Sequence, residues 1–182
     1  MFGLPVRAGP SLAERLLFVL GTRLVKTAAE PVPAYNLAGT LYLADSGWIL
    51  LTVPNALVRG MFAAMREPGI ELPPGANGGP LNAHISVFRP EELAELGGPD
   101  KITERGKTFH YSIGRLVAVE PDGWSEMARA WFLRVHSPEL QQLRRSYGLS
   151  SLPNNGKYDF HITVAVRRKA VLGRNEVSKA AA

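Results

Sequence analysis

The chain has 182 residues, of which 46% are hydrophobic and 20% are charged, a composition typical of one compact domain with its own core. It contains no cysteine, which excludes disulfide scaffolds, zinc fingers, iron–sulfur clusters and thiol nucleophiles. The net charge is +5, and the chain from Arg134 onward contains nine Lys and Arg but only three Asp and Glu. This excess favours an anionic partner such as a phosphate ester or RNA, although on charge alone a solvated surface with a basic tail is the simpler interpretation.

The first half of the chain predicts helices around a hairpin and a strand. Leucines recur every four residues from Ser11 to Thr27, which predicts a helix that a Pro-Val-Pro segment ends. The apolar runs Leu37 to Ala44 and Trp48 to Val53 flank an Asp-Ser-Gly turn and predict a hairpin. An apolar stripe predicts a helix from Pro54 to about Arg66, and a strand is expected from Leu81 to Phe88.

The second half predicts a similar series of elements. A short acidic helix is expected near Pro90 to Leu96, followed by a strand from Phe109 to Val119 that a glycine interrupts. The segments Trp124 to Val135 and Pro138 to Tyr147 are both predicted to be helical. The last predicted strand runs from Tyr158 to Val166. Two similar series of strands and helices indicate an α+β fold with a largely antiparallel or mixed sheet.

This reading divides the chain into three parts. We expect an N-terminal helix and linker over residues 1–33, a main domain over 34–170, and a basic, Ala-rich tail over 171–182. No apolar run approaches the roughly 20 residues of a membrane span. We therefore expect a cytoplasmic protein without a membrane partner.

The histidines carry the main functional signal. Three of the four have a hydroxyl residue two positions later: His84 with Ser86, His110 with Ser112, and His161 with Thr163. With 17 Ser and Thr in the chain, composition alone predicts about 0.4 such pairs. The first and last of the three also share the pattern His-Ile-hydroxyl-Val inside an apolar strand. The repetition therefore indicates two equivalent sites in two similar halves.

Strand geometry explains why this spacing suits phosphodiester chemistry. Side chains alternate along a strand, so an imidazole and a hydroxyl two residues apart share one face, about 6–7 Å apart. Two imidazoles at one phosphate can serve as general base and general acid, while hydroxyls bind the phosphoryl oxygens. For either motif alone, a polar pair on a solvated sheet face is the simpler interpretation. A two-histidine metal site is a further alternative, although no acidic cluster accompanies the strands.

The motifs His84-Ile85-Ser86 and His161-Ile162-Thr163 resemble the paired signature of the two-histidine (2H) phosphoesterase superfamily, and the resemblance extends from about Leu37 to Arg168. It implies a bilobal, pseudo-symmetric α+β fold, in which mostly antiparallel sheets line a central groove and helices lie outside. It also implies a metal-independent, cofactor-free phosphodiesterase, similar to 2′–5′ RNA ligase-like (LigT-like) enzymes. The expected substrate is a 2′,3′-cyclic phosphate or 2′–5′ phosphodiester in RNA ends or small nucleotides, and the expected catalytic residues are His84, Ser86, His161 and Thr163.

Three other residues are candidates for substrate binding. Lys157 and Tyr158 precede the second motif in a polar loop, where they are placed to contact phosphate and stack on a base, although ordinary loop polarity explains them equally well. Arg167 has the same strand parity as His161, so we expect it to extend the positive lining of the groove. His110 is interpreted as structural or adjacent to substrate. We expect a monomer, and the alternative function is a module that binds an RNA end or nucleotide without turnover.

Overall fold

The computed structural model describes residues 37–75, 80–120 and 126–169. The predicted N-terminal helix and the C-terminal tail lie outside the described residues. Among the described residues, no helix combines the length and the apolar character needed to cross a bilayer.

The first half of the domain is a hairpin, a helix and a returning strand. Strands β1 (Leu37–Leu43) and β2 (Ile49–Thr52) pair antiparallel, as the two apolar runs and their turn predict. Helix α1 (Asn55–Ala64) follows, and it buries its apolar stripe. Strand β3 (His84–Phe88) then pairs antiparallel with β2. This half confirms the hairpin, the helix and the strand that the sequence predicts.

The second half repeats this series after a short connection. Helix α2 (Pro90–Glu95) and a 3₁₀ turn lie between the halves. A long hairpin is formed by β4 (Thr108–Val119) and β5 (Met127–His136), and its register shifts near the glycine that was expected to interrupt the strand. Helix α3 (Pro138–Ser146) and strand β6 (His161–Arg168) complete the repeat. Hairpin, helix and strand therefore occur twice in the same order.

The six strands form one antiparallel sheet in the order β3-β2-β1-β4-β5-β6. The two halves join at the centre through β1 and β4, so that β3 and β6 are the edge strands. The sheet curls far enough for these two edges to contact each other. This arrangement confirms the α+β class and the antiparallel sheet, and it faces the two histidine strands towards each other.

The core lies on the face of the edge strands opposite the histidines. Ile85 on β3 and Ile162 on β6 are fully buried, and both belong to one cluster with Val58 and Met61 of α1. Each such side chain contributes about 1.5–3 kcal/mol when it is removed from water. Helix α1, which belongs to the first half, packs on β6, whereas α3 packs on β4 and β3. The helices therefore brace each half against the other.

One predicted element is wrong. The segment Trp124 to Val135 was expected to be helical, whereas the structure has strand β5 from Met127 to His136. Ala128 and Ala130 favour a helix, but the segment lies between two other strands, and the pairing of the whole sheet overrides this local preference. From position 131 to 136 buried residues alternate with less buried ones, which is the period of a strand.

Candidate active site

The two motifs occupy equivalent positions on the facing edge strands. On β3, His84 and Ser86 are half-buried and alternate with fully buried residues. His161 and Thr163 repeat this alternation at the start of β6. The β-branched residues between them point into the core, which explains why each imidazole and hydroxyl share the opposite face.

A cavity of about 160 Å³ joins the two strands. His84 from β3 and Thr163 from β6 both line it, so the structure brings together one residue of each motif. Its other walls are mostly apolar and come from Asn82, Ala83, Leu81, Met127, Val166 and residues 73–75. The predicted groove between the lobes therefore exists next to the motifs.

The two imidazoles are held in the same way. Nδ1 of His84 lies 2.7 Å from the carbonyl oxygen of Asn82, and Nδ1 of His161 lies 2.9 Å from that of Asp159. A carbonyl oxygen only accepts hydrogen bonds, so Nδ1 carries the hydrogen in both neutral rings. Nε2 is then the nitrogen of each ring that can accept or donate the transferred proton.

Side chains hold the segment before His84 in place. Asn55, the first residue of α1, donates to the carbonyl of Leu81 and accepts from the amide of Ala83, at 2.9 and 2.8 Å. Asn82 lies between these two contacts, and its Nδ2 donates to the hydroxyl of Tyr42 at 2.9 Å. The carbonyl that orients His84 is therefore fixed on both sides.

In the second half of the domain, an ion pair holds the residue whose carbonyl orients the imidazole. Asp159 follows the loop that leads into β6, and its carboxylate lies 3.3 Å from the guanidinium of Arg134 on the neighbouring strand. Arg134 is also the residue that pairs with His161 across the β5–β6 ladder. The ion pair therefore fixes the residue whose carbonyl orients the second imidazole.

His161 is tuned towards its neutral form. Burial lowers the pKa of its imidazole below the usual 6.5, and repulsion from His84 lowers it further, against the opposing effect of Asp159. The ring packs on Phe132, with centroids 4.4 Å apart. At neutral pH, His161 is a proton acceptor.

Lys157 and Tyr158 lie at the end of the loop before β6. Nζ of Lys157 is 5.7 Å from the centre of the Tyr158 ring, which is 49% exposed. The loop contains Asn154, in the left-handed region at φ 53°, whose side chain accepts a hydrogen bond of 2.9 Å from Arg89. An exposed ring beside a cation suits base stacking and phosphate contact, and both roles stay predictions.

Arg167 has other partners than the sequence predicts. Its guanidinium donates to the carbonyl of Pro68 at 2.8 Å, contacts Glu67 at 3.2 Å and lies over the ring of Trp131. The reason is a bulge: on β6 the paired residues Thr163 and Ala165 are two positions apart, whereas their partners on β5 are adjacent. The bulge ends the simple alternation from His161, so parity no longer places Arg167 beside the imidazole.

His110 fastens the start of α3. Its Nδ1 lies 3.1 Å from the carboxylate of Glu139, and its backbone amide donates to the same carboxylate at 2.8 Å. The hydroxyl of Ser137, the N-cap of α3, donates to its carbonyl at 2.6 Å. These contacts give His110 a structural role in joining β4 to the helix.

The sequence analysis does not predict two groups of residues that hold the histidine strands in place. Asn82 and Asp159 stand two positions before the histidines, and the repeat Asn/Asp-x-His-Ile-Ser/Thr-Val was a signal for both. The pair Arg144 and Glu92 is buried, with nitrogen–oxygen distances of 2.7 and 3.0 Å. This pair had no sequence signal, because an arginine in an amphipathic helix is normally a surface residue.

A metal centre was the alternative use of the histidines. In residues 37–75, 80–120 and 126–169, no group of three or more His, Asp and Glu side chains is placed to hold a metal ion. The cavity is instead lined by His84 and Thr163, whose imidazole and hydroxyl suit proton transfer and hydrogen bonding at a phosphate.

Comparison with known proteins gives one match. Residues 48–172 match the family model described as "Swiss Army Knife, 2H phosphoesterase domain". No curated protein and no solved structure matches the chain. The matched range covers more than half of the chain and contains both histidine motifs, the two edge strands and the cavity between them. The chain therefore belongs to the 2H phosphoesterase family.

Proposed function

We propose that this protein hydrolyses a 2′,3′-cyclic phosphate or a 2′–5′ phosphodiester in an RNA end or a small nucleotide. Family membership implies a phosphodiesterase-type hydrolase, and the two equivalent imidazoles support acid–base catalysis without a metal ion. The observation that carries the proposal is the repeated Nδ1–carbonyl contact, which presents Nε2 of His84 and of His161 in the same tautomer.

The two histidines have different roles in the proposed reaction. His161 is the base, because its lowered pKa leaves Nε2 free to take a proton from the attacking water. The water oxygen forms a bond to phosphorus while the bond to the departing sugar oxygen breaks. His84 begins the step with hydrogens on both ring nitrogens, gives the one on Nε2 to that departing oxygen and is left as the neutral ring with its hydrogen on Nδ1. Ser86 and Thr163 donate hydrogen bonds to the phosphoryl oxygens, where negative charge increases in the transition state.

Single substitutions of the histidines test this assignment. His84→Ala and His161→Ala should each lower kcat/KM for a 2′,3′-cyclic nucleotide by about a thousandfold, the order of a lost acid–base catalyst. His110→Ala is the matched control, since that ring contacts Glu139 and should leave the rate almost unchanged. Circular dichroism and thermal melting would verify that each variant is folded.

The metal-independent part of the proposal needs a separate measurement. Activity should be the same in EDTA as in buffer with added divalent ions, and loss of turnover on chelation would contradict the acid–base assignment. Tight binding of a cyclic nucleotide with no turnover by the unsubstituted protein would instead support the binding-module alternative. A bell-shaped profile of kcat/KM against pH is expected for the enzyme.

A further inference from the structure

The cavity beside His84 has walls unlike those of a phosphate site. Leu81, Met127 and Val166 give it apolar sides, and residues 73–75 contribute two prolines and a glycine. Asn82 adds a single amide at the rim. Among the described residues that line the cavity, none is a Lys or an Arg. Such a lining suits an uncharged, flat group carried by the substrate next to its phosphate.

The size of the cavity limits that group to about one ring. Its volume is about 160 Å³. An apolar protein cavity of about 150 Å³ is known to accept benzene, whereas sites for drug-sized molecules have roughly 300–1,000 Å³. A six-membered ring therefore matches this volume better than a fused double ring does.

The proline wall is fixed to the catalytic strand. Glu71 and Val166 exchange two backbone hydrogen bonds of 2.8 and 3.0 Å, which add one residue of pairing to the free edge of β6. The carboxylate of Glu71 also lies 3.2 Å from Nε of Arg168. Residues 73–75 begin two positions after Glu71, so this wall of the cavity is formed by a segment that is tied to β6.

Two arginines on the strands that carry the second motif, Arg134 on β5 and Arg168 on β6, are already ion-paired. Arg168 contacts Glu71 and Glu126 at 3.2 Å each, and the guanidinium of Arg134 is engaged with Asp159. A longer RNA strand needs free cations along its backbone, because phosphate contacts supply most of its affinity. The paired arginines give the groove little of that attraction.

We propose that this cavity is a base subsite that takes the pyrimidine ring of a single 2′,3′-cyclic nucleotide. The inference rests on the proposed function, since it places the cyclic phosphate against His84 and Thr163. The six-membered base then enters between Leu81, Met127 and Val166, and the amide of Asn82 is available to its polar edge. Nucleotides beyond the first contribute no further affinity.

Three substrates separate these expectations. Cytidine 2′,3′-cyclic phosphate should be hydrolysed with a kcat/KM about tenfold or more above that of the adenosine compound, the usual discrimination of an apolar pocket by size. A tetranucleotide that ends in the same cytidine 2′,3′-cyclic phosphate should be no better than the mononucleotide. Equal rates for cytidine and adenosine, or a clearly faster tetranucleotide, would overturn the inference while leaving the proposed function intact.

A substitution that fills the cavity is a second test of the base subsite. Met127→Trp should raise KM for the cytidine substrate by about tenfold with a smaller effect on kcat, because it occupies the base subsite and not the phosphate site. Leu43→Trp is the matched control, as Leu43 is an exposed apolar residue at the end of β1. An unchanged KM in Met127→Trp would contradict the subsite.

Equilibrium binding keeps the inference testable without turnover. Calorimetry should show that cytidine 3′-phosphate binds more tightly than adenosine 3′-phosphate, and that Met127→Trp removes the difference. That result together with no hydrolysis of any cyclic nucleotide would reject the proposed function and retain the subsite. Absence of a preference for cytidine would reject the subsite itself.

Discussion

The ring of His161 packs against the ring of Phe132, with centroids 4.4 Å apart and planes inclined by 45°. Phe132 lies on β5 and pairs with Thr163, so one aromatic residue borders both functional groups of the second motif. Burial is the main cause that lowers the pKa of His161, and Phe132 covers one face of its ring. The neutral state of the proposed base therefore depends on a neighbouring strand.

Removing this ring should shift the titration of His161. In Phe132→Ala, water reaches the imidazole, so its pKa should rise towards the usual 6.5. The acid limb of the kcat/KM profile should move to higher pH by the same amount, because the base must be neutral to act. Proton NMR of the imidazole during a pH titration measures the pKa directly. Phe109→Ala on β4 is the control, and a pKa unchanged in both variants would contradict the role of Phe132.

The same lowered pKa makes stability depend on pH. Because His161 has a lower pKa in the folded protein than in the unfolded chain, the unfolded chain binds more protons between the two values. The free energy of unfolding should therefore decrease as the pH falls from 7 through 6.5, and this loss should be complete once the pH is below the folded pKa. Urea unfolding at pH 7.5 and 5.5 measures the loss, which should be smaller in His161→Gln. An equal loss in both proteins would assign the effect to other groups.

The sequence predicts the two strands that carry the histidines better than it predicts the rest of the sheet. The repeated motif identifies both strands, because a His and a hydroxyl two residues apart within a β-branched run depend only on local alternation. Strand β5 was misread because its alanines favour a helix and its pairing with β4 and β6 is long-range. The bulge after Thr163 also has no local signal, and it interrupts the alternation on which the prediction for Arg167 depends.

Buried polar contacts between distant segments are equally hidden in a sequence. Arg144 on α3 is fully buried, and its guanidinium donates to Glu92 and to the carbonyls of Val87, Ser150 and Leu152. Although burial opposes ionisation, hydrogen bonds from Arg144, Arg89 and Asn154 hold the pKa of Glu92 below its usual value. The pair connects the end of β3 with the loop that leads into β6. It therefore links the end of the first histidine strand to the segment that precedes the second.

Breaking this pair should destabilise the domain strongly. Arg144→Met leaves the Glu92 carboxylate without its partner in a buried place, and the loss of one member of a buried pair costs about 3–5 kcal/mol. Arg105→Met is the matched control, because the Arg105–Asp100 pair is exposed and should contribute about 1 kcal/mol or less. Urea denaturation followed by circular dichroism measures both free energies of unfolding. Similar losses in the two variants would show that the buried network is not a main source of stability.

Gly39 on β1 lies against the backbone of β2 with no space for a side chain. A Cβ atom there would lie 2.1 Å from the carbonyl oxygen of Thr52, which is nearer than any real Cβ contact. Thr52 is also the partner of His84 across the β2–β3 ladder, so a displaced Thr52 moves the strand that carries the first imidazole. Glycine is therefore required at position 39 because a side chain has no room there. Backbone conformation is not the reason, since Gly39 does not have a left-handed φ.

Gly39→Ala should lower both stability and activity. The added methyl group forces β1 and β2 apart, and overpacking of this kind costs about 3 kcal/mol or more. Gly60→Ala is the matched control, since nothing lies within 4 Å of its Cβ position on α1 and alanine in a helix stabilises by about 0.5–1 kcal/mol. The melting temperature should be lower than that of the unsubstituted protein in Gly39→Ala and higher in Gly60→Ala. A Gly39→Ala protein with the original melting temperature and full cyclic-nucleotide hydrolysis would show that β2 can shift without disturbing His84.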